Sequence, residues 1–492
     1  MSPSSVPPDD ARGPTPAPPA AAPRAPGGDR PANLPARRRI RIPDLGTVFG
    51  PPASGLSSRR AWGLAAGAVL LGAVAETWRQ TGVSPLDSLW AEDGGAFLQQ
   101  ALSDPLPGIA LVPYGGYAQL APRLVAAVAA TVPLPFAAVV LSGGGALVVS
   151  MLAVFVYYAS SGLIRSSATR AALAAAVVLA PIAPFEMTNN VETLHYYLLF
   201  GAFWALLWLP RGWGGSAAAS LVIVAAALSD PLAILLLPLG VARILAVPRG
   251  RQWLPSIAGV VALTLQVAIV VANRDQVARG VPNAFGPGAQ RPGLEQLAAL
   301  YSLRVVIAPL LGPLTADSLW RDVGWLAAVI GAVGIAGLLV FAARSPAVRN
   351  RGFVLFLVAG SMAFFAAGFY LRWRPQMLPV PGNLNIEFGS RYTLVPILLL
   401  VVAIAVAVDR PHPAWGARAQ RVVRAGTAVA VVFAFGANFS FDNQRTRGPS
   451  WSGALAVATA QCAQSPSGAV AVPIAPSGWS VEIPCRRLLA RR

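Results

Sequence analysis

The chain has 492 residues, of which 55% are hydrophobic and only 12% charged. A soluble domain carries roughly twice that charge, and apolar runs of about 17 to 22 residues recur here, so the composition excludes an ordinary soluble fold and predicts an all-α polytopic membrane protein. The formal charge of +18 comes from arginine alone, since lysine is absent, and abundant Ala, Gly, Pro and Val fit a GC-rich bacterial source. Arginine spread over short loops between apolar runs sets membrane orientation and argues against nucleic-acid binding.

Residues 1–58 are expected to be a disordered, basic cytoplasmic tail. Met1 to Asn33 is rich in Pro, Ala and Gly and has no periodic apolar face. Arg37, Arg38, Arg39 and Arg41 follow as a cluster suited to anionic headgroups. The first apolar segment lies too deep for a cleavable signal peptide.

The transmembrane domain is placed at 59–440, with about eleven spans near 61–79, 136–159, 169–184, 194–209, 216–229, 231–247, 253–272, 323–343, 353–371, 393–409 and 423–439. Two further apolar segments, 120–132 and 297–313, would swap the loops between sides if they crossed. They are therefore read as interfacial or re-entrant helices on the outer face. Arg165, Arg170, Arg211, Arg243, Arg249, Arg251, Arg344, Arg349, Arg351, Arg410, Arg418, Arg421 and Arg424 fall in loops on one side, where the only acid is Asp409. Outside the N-terminal region, the other 15 acids fall on the opposite side, in outer loops 80–121, 273–322 and 372–392, the 186–193 segment, the turn at Asp230, the C-terminal segment and, as Glu76, near the end of the first span. The positive-inside rule then puts the N-terminus in the cytoplasm and the C-terminus outside.

Residues 441–492 read as a short, turn-rich extracytoplasmic cap. It holds the chain's two cysteines, Cys462 and Cys485, which can pair in an oxidising compartment.

Candidate site residues fall in the outer loops. In the first, Glu92 and Asp93 are adjacent carboxylates in a chain with 20 acids. Either can serve as general base toward a sugar hydroxyl. The same loop carries Tyr114 and Tyr117 around a Gly-Gly pair, which suits a membrane interface or a sugar platform, and then Arg123. Between spans three and four, Asn190 can bind hydroxyls or cap a helix. Glu192 and His195 lie three apart, which on a helix gives neighbouring positions and a weak divalent-cation signal. In the third loop, Arg372, Arg391 and Tyr392 combine guanidinium forks suited to phosphate with an interfacial aromatic. Loop 273–296, with Asn283 and Glu295, is long enough to act as a lid. Asp230 reads as a helix cap. No Gly-Lys-Ser/Thr phosphate loop, Gly-x-Ser-x-Gly elbow or His-Glu-x-x-His motif is present.

One span, a long outer loop with an early acidic pair, many further spans and an extracytoplasmic end together resemble the GT-C superfamily of polytopic glycosyltransferases using polyprenyl-phosphate-linked sugars. The resemblance rests on Glu92-Asp93, the Tyr114 to Arg123 segment, the Asn190/His195 segment and Gly389-Ser390-Arg391-Tyr392. It implies inverting sugar transfer outside the cytoplasm to an envelope glycan, lipid or protein acceptor. Asp93 or Glu92 would be the base and Arg391 the phosphate ligand. Some relatives use a divalent cation; nothing in this chain establishes one. Rival readings are a flippase or transporter for lipid-linked glycans, and a polymerase or ligase. A transporter would carry mid-membrane polar residues and internal repeats, and no repeat is evident.

Overall fold

The computed structural model describes residues 48–53, 55–56, 58–248, 250–280, 291–344, 351–380, 383–409 and 416–490. The expected N-terminal tail up to residue 47, Arg249, Asn283, Arg349 and Arg410 lie outside them. Asp44–Arg492 forms one compact unit, so the C-terminal segment folds together with the bundle.

Thirteen apolar helical segments follow in chain order: α1 Arg59–Trp78, α2 Leu120–Ala129, α3 Leu134–Gly162, α4 Ser167–Phe185, α5 Leu194–Leu207, α6 Trp213–Ala227, α7 Pro231–Ala246, α8 Arg251–Ala272, α9 Leu294–Leu311, α10 Trp325–Arg344, α11 Arg351–Leu371, α12 Ser390–Asp409 and α13 Ala417–Ala437. Nine of these, among the described residues, are long and apolar enough to cross a membrane, making this a multi-pass membrane protein. All eleven anticipated spans are helical, but α5, α6 and α7 are shorter than 18 residues.

Helix α9 meets the length criterion that the sequence reading had set aside. Yet Gly312, just beyond it, packs on Ala437 at the end of α13, and Pro309 accepts from Asn438. Arg304 within α9 bonds carbonyls of the 377–388 loop. Helix α9 thus ends at the same end of the bundle as that loop.

Every residue of the 14-residue α5 is buried, and it packs against α3, α6, α7 and α12. At about 1.5 Å per residue it covers roughly two thirds of a 30 Å bilayer core. The largely buried run Ala180–Thr193, into which α4 loses regular helix after Val178, precedes it. Irregular backbone at that depth is tolerated only inside protein, where partners replace water. Ile182 there holds φ +66°, a costly setting for a β-branched residue. By contrast, α1 buries only Ala65 and Glu76, and α13 only Ala434. Their remaining apolar faces suit lipid.

Buried arginines satisfy the carbonyls that helix ends leave open. Arg79 donates to Phe439, Val178, Ala180 and Asn438. Arg243 donates to Ala205, Leu206, Trp208 and Gln252. The sequence reading put Arg243 in a basic loop, but it is fully buried. Asp409 closes the N-terminus of α4, accepting the N–H groups of Arg165 and Ser166 at 2.9 Å each.

The C-terminal cap has more secondary structure than its turn-rich sequence suggested. Helix α14 (Trp451–Gln464) is followed by strands Ala469–Ile474 and Trp479–Pro484 and helix α15 (Cys485–Leu489). The strands pair antiparallel, Val472 opposite Val481, and alternate residues Val472, Ile474, Val481 and Ile483 are buried. A Cys462–Cys485 disulfide joins α14 to α15.

The cap is held to the first long loop. Ala91 N–H donates to Ala475 O at 2.6 Å, and Ala475 N–H to Leu89 O at 3.1 Å. Gly94 and Gly95 lie in a π-helical turn, Asp93–Leu98. A Cβ on Gly94 would come within 2.6 Å of Ile474, and one on Gly95 within 2.9 Å of the Trp479 ring. The Asp93-Gly94 pair, which also reads as an ordinary turn dipeptide, is here part of a packing face. Gly95→Val is expected to destabilise the cap by about 1–3 kcal/mol through overpacking. Limited proteolysis should then cut the 465–480 region faster than in wild type, with little change in the remaining fragments.

Candidate functional site

The Glu92-Asp93 segment, the Tyr114–Tyr117 hairpin, the run before α5, the α6–α7 turn and the start of α12 converge at one end of the bundle. Tyr114 and Tyr117 pair across a two-residue turn whose Gly115 and Gly116 both have positive φ, +63° and +90°. Two such residues are what a tight hairpin turn demands. Gly116 also lies against the helix Arg274–Gly280, where a Cβ would meet the Val277 backbone nitrogen at 2.7 Å. Part of the 273–296 loop thus packs on this hairpin; its 281–290 stretch lies outside the described residues.

The two adjacent acids have different surroundings. Asp93 is buried, and its two oxygens accept the backbone N–H groups of Val191 at 3.1 Å and Glu192 at 2.9 Å. Burial pushes its pKa up to about 7, opposed by Arg445 and these N–H groups. Glu92 is partly exposed, and its charge acts on both Tyr114 and Glu192. Asp93 therefore holds the 186–193 segment, while Glu92 stands beside it with access to solvent.

Arg391 lies between Glu186 and Glu192. Its Nη1 is 3.7 Å from Glu192 Oε2, and its Nε is 4.0 Å from Glu186 Oε2. Glu186 also accepts from the Ser390 hydroxyl at 3.0 Å and the Arg391 N–H at 3.3 Å. Burial pushes Glu192 up to about 8, with Arg391 pulling the other way. The Arg391 guanidinium lies 5.5 Å from the Tyr392 ring centroid, and Arg372 lies 5.7 Å from that of Tyr117. Asn190 braces the segment: its side chain donates to Glu186 O and accepts from Glu192 N–H, each at 2.9 Å.

His195 Nε2 is 3.7 Å from Asp230 Oδ2, and Tyr196 packs on the imidazole. Asp230 caps the next helix, accepting from Leu232 N–H at 2.8 Å. The cap reading was thus incomplete, because its second oxygen faces His195. Burial raises Asp230 to about 7.

Arg123 stands apart from this cluster. It donates to Gln100 at 2.5 Å and lies over Phe97, whose ring meets Tyr114 edge-on. Phe97 thus lies between its guanidinium and Tyr114. Sequence reading missed Arg445, which is buried and donates to Asn189 O, Ser88 O, Pro85 O and the Ser88 and Ser142 hydroxyls. It ties the cap's leading loop to both halves of the site. Nothing in its Asn-Gln-Arg-Thr-Arg context distinguishes it from a solvated charge.

Among the described residues, no group of three or more His, Cys, Asp or Glu side chains is placed to hold a metal ion. Glu192 and His195, the spacing that hinted at a cation, instead meet Arg391 and Asp230 respectively.

Burial pushes several carboxyls outside the spans upward, among them Asp93 and Asp230 from 3.8 to about 7 and Glu192 from 4.5 to about 8. A raised folded-state pKa stabilises the protein fully below the unfolded value and loses that contribution as pH rises through the folded one. Thermal stability in detergent is therefore expected to fall between about pH 4 and pH 8. Melting curves at pH 5 and pH 8 check this, and Asp230→Asn should flatten part of the slope.

No family model matches the chain, and no curated protein matches it. Among solved structures, the arabinofuranosyltransferase AftD from Mycobacteria aligns with 89% of this chain at 14% identity and a TM-score of 0.43. The alignment covers 33% of that enzyme, so the chain spans about a third of its length.

Proposed function

We propose that this protein is a GT-C-like membrane glycosyltransferase, transferring a sugar from a polyprenyl-phosphate donor to an envelope glycan, lipid or protein acceptor. The observation that carries this reading is one partly exposed carboxylate, Glu92, grouped with Arg391, Arg372 and three tyrosines at one end of an apolar bundle. Acid and guanidinium at a membrane surface match the two charges such a reaction develops.

In this reading Glu92 accepts the proton of the acceptor hydroxyl, whose oxygen forms the new bond to the anomeric carbon with inversion. The bond from that carbon to the lipid phosphate breaks, and its electron pair leaves on the phosphate oxygen. Arg391, with Arg372 beside it, stabilises that charge. Tyr114 and Tyr117, both partly exposed, offer flat faces to sugar rings, and Tyr392 packs beneath Arg391. Asp93, Asn190 and Glu192 position the segment, and the His195–Asp230 pair supports the floor. The arginine-rich loops favour an extracytoplasmic site, with the N-terminus cytoplasmic.

The test is transfer by purified protein in proteoliposomes, using radiolabelled polyprenyl-phosphate sugars and delipidated envelope acceptors. Label should enter a chloroform-insoluble product with inverted anomeric configuration. Movement of intact lipid-linked sugar across the bilayer with no new glycosidic bond would replace this reading with a flippase.

A further inference from the structure

A cavity of about 560 Å³ opens between the turn of the cap hairpin and the 442–449 loop, and Glu387 completes its wall. That volume suits a small ligand or a few sugar residues. Its polar lining includes Glu387, Asp442, Gln444, Arg447 and Ser477, and Trp479 supplies an aromatic wall.

The chemistry of this lining narrows the ligand. Arg447 already pairs with Asp442 at 3.3 Å, and Glu387 adds a second acid, so no net positive charge is left for a phosphate or nucleotide. Carboxylate, guanidinium and amide groups are the planar donors and acceptors that bind adjacent hydroxyls in pairs. An indole wall packs against the C–H face of a sugar ring.

The walls also lead to the cluster described above. Trp479 rests on Gly95, three residues after Glu92, and Ile474 rests on Gly94. On the other side, Glu387 precedes Arg391 by four residues in the same loop. The cavity therefore packs against the carboxylate side of the cluster through Trp479 and Ile474, and continues along the chain from Glu387 to Arg391 on the guanidinium side.

We infer that this cavity is the acceptor subsite, binding a neutral oligosaccharide whose terminal hydroxyl is presented to Glu92; the second half of this statement rests on the glycosyltransferase reading. Full-length protein in nanodiscs would be titrated with labelled short oligosaccharides of furanose and of pyranose sugars. At least one series should bind, and Trp479→Ala should weaken it about tenfold. Because Trp479 also packs on Gly95, the exposed variants Asp442→Asn, Arg447→Ala and Ser477→Trp provide a second route that spares the fold. They should weaken the same oligosaccharide and, in the transfer assay, raise the acceptor KM without changing the donor KM. Failure of every oligosaccharide to bind, or equal binding by wild type and all four variants, overturns the inference. If Glu92→Gln abolishes transfer while the cavity variants keep the wild-type acceptor KM, the subsite is wrong and the glycosyltransferase reading stands. If oligosaccharide binding depends on the cavity but no transfer occurs, the subsite stands as a carbohydrate-binding site and the transferase reading falls.

Discussion

Glu92→Gln is expected to lower sugar transfer by about 10²–10⁴-fold, the usual contribution of a general base, with little change in melting temperature. Glu92 is partly exposed, so its amide analogue leaves no buried donor unpaired. Asp93→Asn should behave differently. Both Asp93 oxygens accept backbone N–H groups, and an amide would turn an NH₂ toward one of them. One buried donor then goes unsatisfied, at a cost of about 1–3 kcal/mol. The expected signature is a lower melting temperature with partial loss of transfer. Melting curves and transfer rates on the two variants check this assignment. Full transfer by Glu92→Gln, with a stable but inactive Asp93→Asn, would reverse the two roles.

Arg391→Ala should cost about 10²–10³-fold in transfer, comparable to removing one donor from a site that stabilises developing negative charge. It should also weaken inhibition by polyprenyl phosphate, which resembles the leaving group. Arg391 is the ion-pair partner of the buried Glu192, so its loss leaves that carboxyl without a counter-charge. Arg391→Lys separates the two effects. Lysine keeps the charge beside Glu192 but loses the planar fork, so stability should recover more fully than transfer. Measuring the polyprenyl phosphate inhibition constant for both variants distinguishes phosphate binding from structural support. Equal inhibition in wild type and Arg391→Ala would remove this residue from the phosphate site.

The helical segments were legible because long apolar runs leave few alternatives, as α3, α8 and α11 show. The shortness of α5 was not. Its apolar run continues through Leu207 to Leu209, but it is preceded by a buried irregular segment braced by Asp93 and Arg445, two contacts from remote parts of the chain. Loop position and residue type brought Tyr114, Glu192, Arg391 and Tyr392 into view together. They could not reveal that Asp93 faces inward while its neighbour Glu92 does not, since a π-helical turn decides this. The second function of Asp230 was hidden by its capping role, and Arg445 by its ordinary context. Arg123 carried the right charge in the right loop, but Phe97 stands between it and the cluster.

The late position of Arg445 and Ala475 in the chain has a consequence for how the protein matures. Asn189 and Leu89 emerge from the ribosome hundreds of residues before the groups that hold them, and the Trp90–Ala475 bridge cannot form until the cap hairpin is made. The bundle can insert helix by helix, but the candidate site closes only once the segment carrying Arg445 and Ala475 has been made. Chains halted before the cap would have their spans but lack the contacts that hold Asn189 and Leu89 in place.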